Sequence, residues 1–284
     1  MPQTTQRWMR RREALVLGAG LGAGFAAPLA FSGPARAAAG GPRVLRYAFP
    51  VAESGFDPAQ ISDTYSRTVT AHIFEALYGY DHLARPPKVV PLTADGLPEV
   101  SDDFRRWTFK VRPGIFFADD PAFKGQPREL TAADFVFAIK RYADPAVKSP
   151  LWASVEDWRM PGLAALRRQS LEQKAPFDYD APIEGLRVLD RYRFELRFEL
   201  PRPRFIDSMA VSDLFGGVAR EVVQAYGDKI AEHPVGTGPF RLAQWRRSSL
   251  IVLERNPAYR ERSWDCSPTA DDAEGQAIAA KLRG

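Results

Sequence analysis

The sequence of 284 residues contains one cysteine, Cys266, and only three histidines. A single thiol forms no disulfide within the chain and cannot build a thiolate metal cage alone, so both kinds of cross-link are excluded. With 21 glycines and 24 prolines, the chain also lacks the composition of collagen. Its 45% hydrophobic and 26% charged residues are typical of a globular protein with one large or two ordinary domains.

The body of the chain has no excess charge of either sign. Residues 1–37 contain five arginines and one glutamate and so account for the whole net charge of +4. The remaining residues hold 34 basic and 34 acidic side chains. Because a protein that binds nucleic acid needs a basic face to neutralise phosphates, we expect no nucleic-acid partner.

Residues 1–37 have the three parts of an export signal. Basic residues through Arg12 precede an apolar stretch at 14–31, and Ala35-Arg36-Ala37 follows it. We therefore predict a signal peptide that is cleaved near Ala37 and a mature protein in the periplasm. The Arg11-Arg12 pair resembles a twin-arginine signal, and both that route and the general secretory route remain open.

A glycine-rich match to a nucleotide-binding motif lies inside this segment. Gly18-Ala19-Gly20-Leu21-Gly22-Ala23 fits the dinucleotide pattern G-x-G-x-x-G/A. That pattern needs a following amphipathic helix and an acidic residue about 20 positions further on to hold the ribose. Pro28 interrupts such a helix and residues 37–43 contain no acidic residue, so the signal peptide is the favoured interpretation.

Hydrophobic periodicity predicts strands and helices after the signal peptide. The expected strands are Arg43–Phe49, Trp107–Val111, the hairpin of Leu186–Leu189 with Tyr192–Leu200, and the hairpin of Pro239–Trp245 with Leu250–Arg255. The expected helices are Thr64–Tyr78, stopped by Gly79, a helix capped by Thr131 and Asp134, and Ala219–Tyr226. On the strand from Tyr192, alternation places Glu195 on a solvent face.

Side chains that commonly perform catalysis are scarce. The sequence contains no nucleophile elbow G-x-S-x-G and no phosphate-binding loop G-x-x-x-x-G-K-[ST]. His72 and Glu75 are three residues apart on the first predicted helix, which suits either a pair of metal ligands or, as we favour, a plain surface pair. We expect no enzyme, no catalytic residue, no metal and no cofactor, and keep a secreted hydrolase as a minor alternative.

Five segments carry a family resemblance when they are taken in order. They are Arg43–Phe49 with Gly55-Phe56-Asp57-Pro58; Ile73-Phe74-Glu75-Ala76-Leu77-Tyr78; Asp102-Asp103-Phe104 with Trp107–Gly114; Leu130–Phe137; and His233–Phe240 with Val252–Tyr259. Together they resemble the family 5 extracellular solute-binding proteins of ABC importers, which include dipeptide and oligopeptide binders and relatives for nickel, haem and other solutes.

The resemblance implies an α/β fold of the periplasmic-binding-protein type II class, in which two lobes close on a ligand. Residues 38–262 would form the first lobe, with a mixed sheet and flanking helices. Residues 263–284 would be a linker or the truncated start of a second lobe that is largely missing. The implied partners are a small peptide-like solute and an ABC permease of the inner membrane, and we expect a monomer.

A single lobe buries only part of a ligand, so a second function remains open. A truncated remnant or interaction module that binds no solute is the main alternative to a solute-binding component.

The resemblance also assigns candidate ligand-binding residues. Ser62, Asp63, Thr64 and Tyr65 match the family segment that approaches the ligand backbone, and Trp152 lies in another cleft-lining stretch. A turn residue at Ser62 and a core residue at Trp152 are the structural alternatives. Gly236-Thr237-Gly238-Pro239 is interpreted as conformational, because glycine permits positive φ and proline fixes a turn.

Overall fold

The computed structural model describes residues 43–262 and 268–283. The expected signal peptide at 1–37 and Cys266 lie outside these residues. The chain divides into a short N-terminal unit that ends at Tyr47 and a compact unit that begins at Ala48. In the short unit, residues 43–47 are exposed and form no helix or strand.

The described chain contains both helices and strands, in agreement with the expected α/β class. The helices are α1 Thr64–Ile73, α2 Ala132–Ala143, α3 Trp152–Glu156, α4 Leu163–Gln173, α5 Phe205–Ser208, α6 Ser212–Phe215, α7 Arg220–Tyr226 and α8 Ala273–Arg283. The strands are β1 Tyr78–Asp81, β2 Lys88–Pro91, β3 Glu99–Val100, β4 Arg106–Lys110, β5 Leu186–Val188, β6 Arg193–Arg197, β7 Phe240–Arg246 and β8 Leu250–Arg255. In the part of the chain that the structure describes, no helix has the length and apolar character needed to cross a membrane.

The described strands form three sheets. Strands β1 and β2 form one hairpin, β7 and β8 form another, and the largest sheet has the order β3-β4-β6-β5. Every strand pair in residues 43–262 and 268–283 is antiparallel, whereas the resemblance implied a mixed sheet. A parallel pair needs a crossover that returns the chain to the same end of the sheet, and the neighbouring strands here run in opposite directions instead.

The main core lies between the four-stranded sheet and helix α2. Phe109 on β4 stacks on Phe194 on β6 with ring centres 5.3 Å apart, and Phe194 stacks on Phe135 of α2 at 5.7 Å. All three rings are buried. Aromatic side chains bury the largest apolar areas, so this stack fixes how α2 sits on the sheet.

Glu195 is buried, although alternation predicted a solvent face for it. Its strand β6 lies inside the sheet between β4 and β5, so neighbouring side chains cover it. Arg187 and Arg197 donate to its carboxylate at 2.5 and 2.7 Å. Burial alone would raise the pKa of Glu195, but the two arginines together outweigh it and hold the pKa below its ordinary value.

Helix α2 begins where the capping pattern predicted. The Asp134 carboxylate accepts from the Thr131 backbone N–H at 2.7 Å and from its hydroxyl at 2.9 Å. From Asp134 to Ala143, every residue of α2 is buried. A helix that is covered on all sides must find partners for any charge it carries, and Lys140 and Arg141 are both buried.

Helix α1 is shorter than predicted. It ends at Ile73, and Tyr78 instead begins strand β1. The Ile73 carbonyl, at the end of the helix, accepts a hydrogen bond of 2.8 Å from the Gly238 N–H. The next residue, Phe74, already has extended backbone, so the helix ends before Gly79, and a segment distant in sequence covers its last carbonyl.

Gly236 and Gly238 are required by close approach rather than by positive φ. Neither residue has a positive φ, so the expected conformational reason is wrong. A Cβ atom on Gly236 would lie 2.1 Å from the Ile73 carbonyl oxygen, and one on Gly238 would lie 2.6 Å from the His72 carbonyl oxygen. The two glycines let their loop lie directly against the end of α1.

The predicted first strand, Arg43–Phe49, is not a strand. Leu45 is 93% exposed, and no described strand pairs with the segment. A strand is held by hydrogen bonds to a neighbour, so a β-like sequence without a paired neighbour stays irregular. Toward the C-terminus, β7 and β8 form the hairpin that was predicted. Residues 273–283 form helix α8, which was not predicted.

Candidate ligand-binding site

The loop that leads into helix α1 is organised by Asp63. This residue is the N-cap of α1, and its carboxylate accepts a hydrogen bond of 2.8 Å from the Ser66 N–H. The other carboxylate oxygen accepts from the Ser54 hydroxyl at 2.5 Å. The Ser66 hydroxyl accepts from the Ser54 N–H at 2.9 Å. Three polar side chains therefore hold this loop in one conformation.

The hydrogen bonds to Asp63 favour its charged form. Burial alone would raise the pKa of the Asp63 carboxyl, but the hydrogen bonds from Ser54 and Ser66 together outweigh it and the pKa is lowered. A carboxylate at a helix N-terminus is also favoured by the positive end of the helix dipole. Asp63 is thus a charged capping group at neutral pH.

Ser62, Thr64 and Tyr65 lie around this cap. Ser62 and Thr64 are exposed, and Tyr65 is half-buried with its ring centre 5.1 Å from that of Phe49. The N–H groups of the first helical turn have no acceptor within the helix. Asp63 takes the N–H of Ser66, so those of Thr64 and Tyr65 can donate to a carbonyl or carboxylate of a ligand.

Trp152 is the first residue of helix α3 and is half-buried. Its ring packs against the main core, and the Arg167 guanidinium lies over it, 5.0 Å from the ring centre. Arg167 also donates to the Ala143 carbonyl at 3.0 Å, which ties α4 to the end of α2. Trp152 therefore has a structural role as well as a partly exposed ring.

The loop at 62–65 and Trp152 are linked indirectly. No hydrogen bond or ring contact found in residues 43–262 and 268–283 joins them directly. Asp57 precedes the loop at 62–65 in the chain, and Arg141 precedes Trp152. The side chains of Asp57 and Arg141 form two hydrogen bonds of 2.6 and 2.7 Å. Beside this pair, the Gln60 side chain donates to the Val147 carbonyl at 3.4 Å.

Asp57 and Arg141 are positioning residues that sequence reasoning missed. Their side chains are 1% and 2% exposed, so they lie in the interior and join the two chain segments that lead to the loop at 62–65 and to Trp152. A partial signal was present in the sequence, because Asp57 belongs to a quoted loop motif and Arg141 lies on a strongly apolar helix. Sequence alone did not show that the two residues meet.

Glu75 forms a second buried centre, and it does not pair with His72. Arg260 donates to its carboxylate at 2.7 and 2.9 Å. The hydroxyls of Thr237 and Tyr259 donate to it at 3.0 and 3.1 Å. Glu75 lies beyond the end of α1 and is buried, whereas His72 is exposed, so the expected surface pair is wrong. Within the described ranges, no group of three or more His, Cys, Asp or Glu is placed to hold a metal ion.

Comparison with known proteins decides the family. The sequence profile of the bacterial extracellular solute-binding proteins, family 5 Middle, matches residues 88–279. The chain belongs to this family. The resemblance inferred from the five segments is therefore confirmed.

Two relatives of this family 5 chain are similar to it over most of its length. It is 29% identical over 217 residues to the periplasmic oligopeptide-binding protein OppA of Salmonella typhimurium, covering 75% of this chain and 35% of that protein. It is 30% identical over 239 residues to the probable deoxycholate-binding periplasmic protein YgiS of Escherichia coli (strain K12), covering 83% of this chain and 41% of that protein. The family 5 chain thus spans well under half the length of both relatives.

The solved structures confirm the fold class of the part that they match. Haemophilus influenzae OppA in complex with the peptide RPPGFSPFR is similar to this family 5 chain with a TM-score of 0.59 and 26% identity. The match covers 72% of this chain and 36% of that one. The fold is that of type II periplasmic binding proteins, as the resemblance implied.

Proposed function

We propose that this chain is the first lobe of the periplasmic substrate-binding component of an ABC importer for peptides or related small solutes. The family match over residues 88–279 carries the proposal. The fold shared with a peptide-bound OppA supports it. In this role the chain presents its solute to an inner-membrane permease, acts as a monomer and performs no catalytic step.

The proposal includes the boundaries expected from the sequence. Residues 1–37 are the signal peptide, 38–262 the first lobe, and 263–284 a linker or the start of a second lobe. The periplasmic names of the relatives support the location. Cleavage near Ala37 would release the lobe into the periplasm.

The ligand-binding face in this proposal consists of Ser62–Tyr65 and Trp152. Extended peptides are recognised largely through main-chain hydrogen bonds. The N–H groups of Thr64 and Tyr65, held in place by the Asp63 cap, suit that mode. The half-buried ring of Trp152 would supply an apolar wall for a ligand side chain.

A nuclear magnetic resonance titration tests the proposal. The ¹H–¹⁵N spectrum of the protein purified from the periplasm is recorded with the tripeptide Ala-Phe-Ala and, separately, with RPPGFSPFR. We expect saturable shifts of the amide signals of Thr64 and Tyr65 and of the Trp152 indole signal. Tyr65→Ala and Trp152→Ala should each weaken binding about tenfold, since each removes an aromatic contact.

Tyr80→Ala is the matched control, because Tyr80 is an exposed tyrosine on β1 outside the proposed face. Its affinity for both peptides should equal that of the wild type. Shifts confined to other residues would overturn the assigned face. Shifts with sodium deoxycholate but not with peptides would overturn the solute class, and no shift with any of the three would favour the remnant that binds no solute.

A further inference from the structure

A cavity of about 630 Å³ lies beside helix α2, and neither Ser62–Tyr65 nor Trp152 lines it. Its walls are formed by α2, α7, strand β5 and the segment 179–183. This volume is within the range of small-molecule sites, about 300–1,000 Å³. The cavity can therefore hold a small organic molecule.

Lys140 lines this cavity and is a buried cation without a carboxylate partner in the described structure. Its side chain is 5% exposed, and its ammonium donates to the carbonyls of Tyr179 and Ala181 at 2.9 and 2.7 Å. An ammonium has three N–H donors, so one remains for another acceptor. The neighbouring Arg141, by contrast, is neutralised by Asp57.

Burial disfavours the charged form of Lys140 and lowers the pKa of its ammonium. Burial lowers the pKa of its ammonium more than the attraction of Asp178 and Asp180 raises it. The direct hydrogen-bond partners of this buried ammonium are neutral carbonyls, so its charge is only partly compensated, and an anion placed beside it would complete the compensation.

The other cations of the cavity already have carboxylate partners. Arg128 pairs with Asp134 at 2.6 Å and Arg220 pairs with Asp180 at 2.5 Å. Arg187 pairs with Glu195, as described above. Arg128 also pairs with Glu221 at 2.9 Å. Among the described residues, Lys140 is thus the lining cation without a direct carboxylate partner, and one anionic group of a ligand can occupy its free N–H donor.

Most of the remaining wall is apolar, apart from Tyr179 and Gln224. Val136, Ile183 and Leu186 line the cavity and are buried, and Val188 lines its exposed part. Arg220 lies over the rings of Phe137 and Tyr179, 5.9 Å from each centre. An apolar wall beside one cation that lacks a direct carboxylate partner suits a molecule with a branched hydrocarbon body and a single negatively charged end.

We propose that this cavity is a second binding site of the protein, which takes a small branched aliphatic monocarboxylate with its carboxylate on Lys140 and its hydrocarbon body against Val136, Ile183 and Leu186. The site does not depend on the peptide-binding proposal, because it shares none of the residues assigned to that function.

Methyl ¹H–¹³C spectra of the protein purified from the periplasm test the site with 4-methylpentanoate and its neutral amide, 4-methylpentanamide. We expect the carboxylate to shift the methyl signals of Val136, Ile183 and Val188, with a dissociation constant in the roughly millimolar range for a ligand of this size. The amide should bind about tenfold more weakly. Lys140→Met should weaken carboxylate binding about tenfold and abolish the preference over the amide.

Two surface variants make the test independent of the folding of Lys140→Met. Val188→Glu places a negative charge on the cavity wall at an exposed position and should weaken carboxylate binding several-fold. Leu189→Glu, its exposed neighbour, does not line the cavity and should bind like the wild type. Equal binding of acid and amide, equal effects of the two variants, or no methyl shift would each overturn the proposal. Because the peptide titration reads Thr64, Tyr65 and Trp152, failure of one proposal can be told from failure of the other.

Discussion

The Asp57 carboxylate and the Arg141 guanidinium, 84 positions apart in the chain, meet through two hydrogen bonds of 2.6 and 2.7 Å. Both side chains are almost fully buried. The pair joins the loop that enters α1 to the end of α2. It therefore fixes the relative positions of the two chain segments that carry Ser62–Tyr65 and Trp152.

Removal of one partner of this pair should be costly. Asp57→Ala should lower the free energy of unfolding by about 3–5 kcal/mol, because it leaves the Arg141 charge buried without a counter-ion. The measurement is equilibrium urea unfolding. The double variant Asp57→Leu/Arg141→Met should lose less unfolding free energy than the two single variants lose in sum. Asp95→Asn, which breaks the exposed pair with Lys110, should leave the urea midpoint almost unchanged, and an equal loss there would contradict the argument.

The close approach at Gly236 predicts a sharp intolerance of a single methyl group. Gly236→Ala should lower the free energy of unfolding by about 3 kcal/mol or more, because the new Cβ atom would collide with the Ile73 carbonyl. Gly79→Ala is the matched control, since the nearest atom to its added Cβ atom is Leu92 Cδ2 at 4.0 Å. It should change stability by less than about 1 kcal/mol. Similar midpoints for the two variants in urea would refute the close approach.

The Asp63 cap predicts a pH dependence of stability. The pKa of Asp63 is lower in the folded protein than in the unfolded chain, so its charge stabilises the fold above about pH 4 and this contribution is lost as the pH falls further. Asp63→Ala should cost about 1 kcal/mol at neutral pH through loss of the cap. Asp63→Ser keeps a capping hydroxyl but cannot titrate.

Unfolding of both variants followed from about pH 6 to 2 separates the two roles of Asp63. At neutral pH, Asp63→Ser should be nearly as stable as the wild type. On acidification it should lose less stability than the wild type does. If the unfolding free energy of Asp63→Ser fell as steeply as that of the wild type below about pH 4, the charge of Asp63 would not be the source of this stabilisation.

The export proposal predicts the mass and the first residues of the mature protein. In a periplasmic fraction the intact mass should correspond to a chain that begins at Ala38, and N-terminal sequencing should read Ala-Ala-Gly-Gly. Ala37→Leu should block cleavage, because the signal peptidase requires a small residue at this position. Ala39→Leu should be processed normally. An unprocessed chain of full mass in the wild type would contradict the signal peptide. Replacing Arg11 and Arg12 by lysine should stop export only on the twin-arginine route.

Elements governed by local chemistry could be predicted from the sequence. The capping residues Thr131 and Asp134 predicted the start of α2, and the alternation in Trp107–Val111 predicted the buried face of β4. The hairpin of β7 and β8 was likewise predicted from neighbouring residues. The ligand-binding role of Ser62–Tyr65 and Trp152 stays a prediction, since it came from the resemblance rather than from local pattern.

Contacts between distant segments decided the rest. Helix α1 ends at Ile73, where Gly238 contacts it, and Glu75 beyond its end is the buried partner of Arg260 instead of the expected surface residue. The segment at 43–49 has strand-like residues but no described strand paired with it, so its propensity produces no strand. By itself the sequence determined composition, the cap of α2, periodicity and the family. Only the tertiary structure decided which buried charges meet, as Asp57 and Arg141 do, and which have no direct carboxylate partner among the described residues, as with Lys140. The physical reason is that charge pairing depends on distances in space, which the order of residues does not contain.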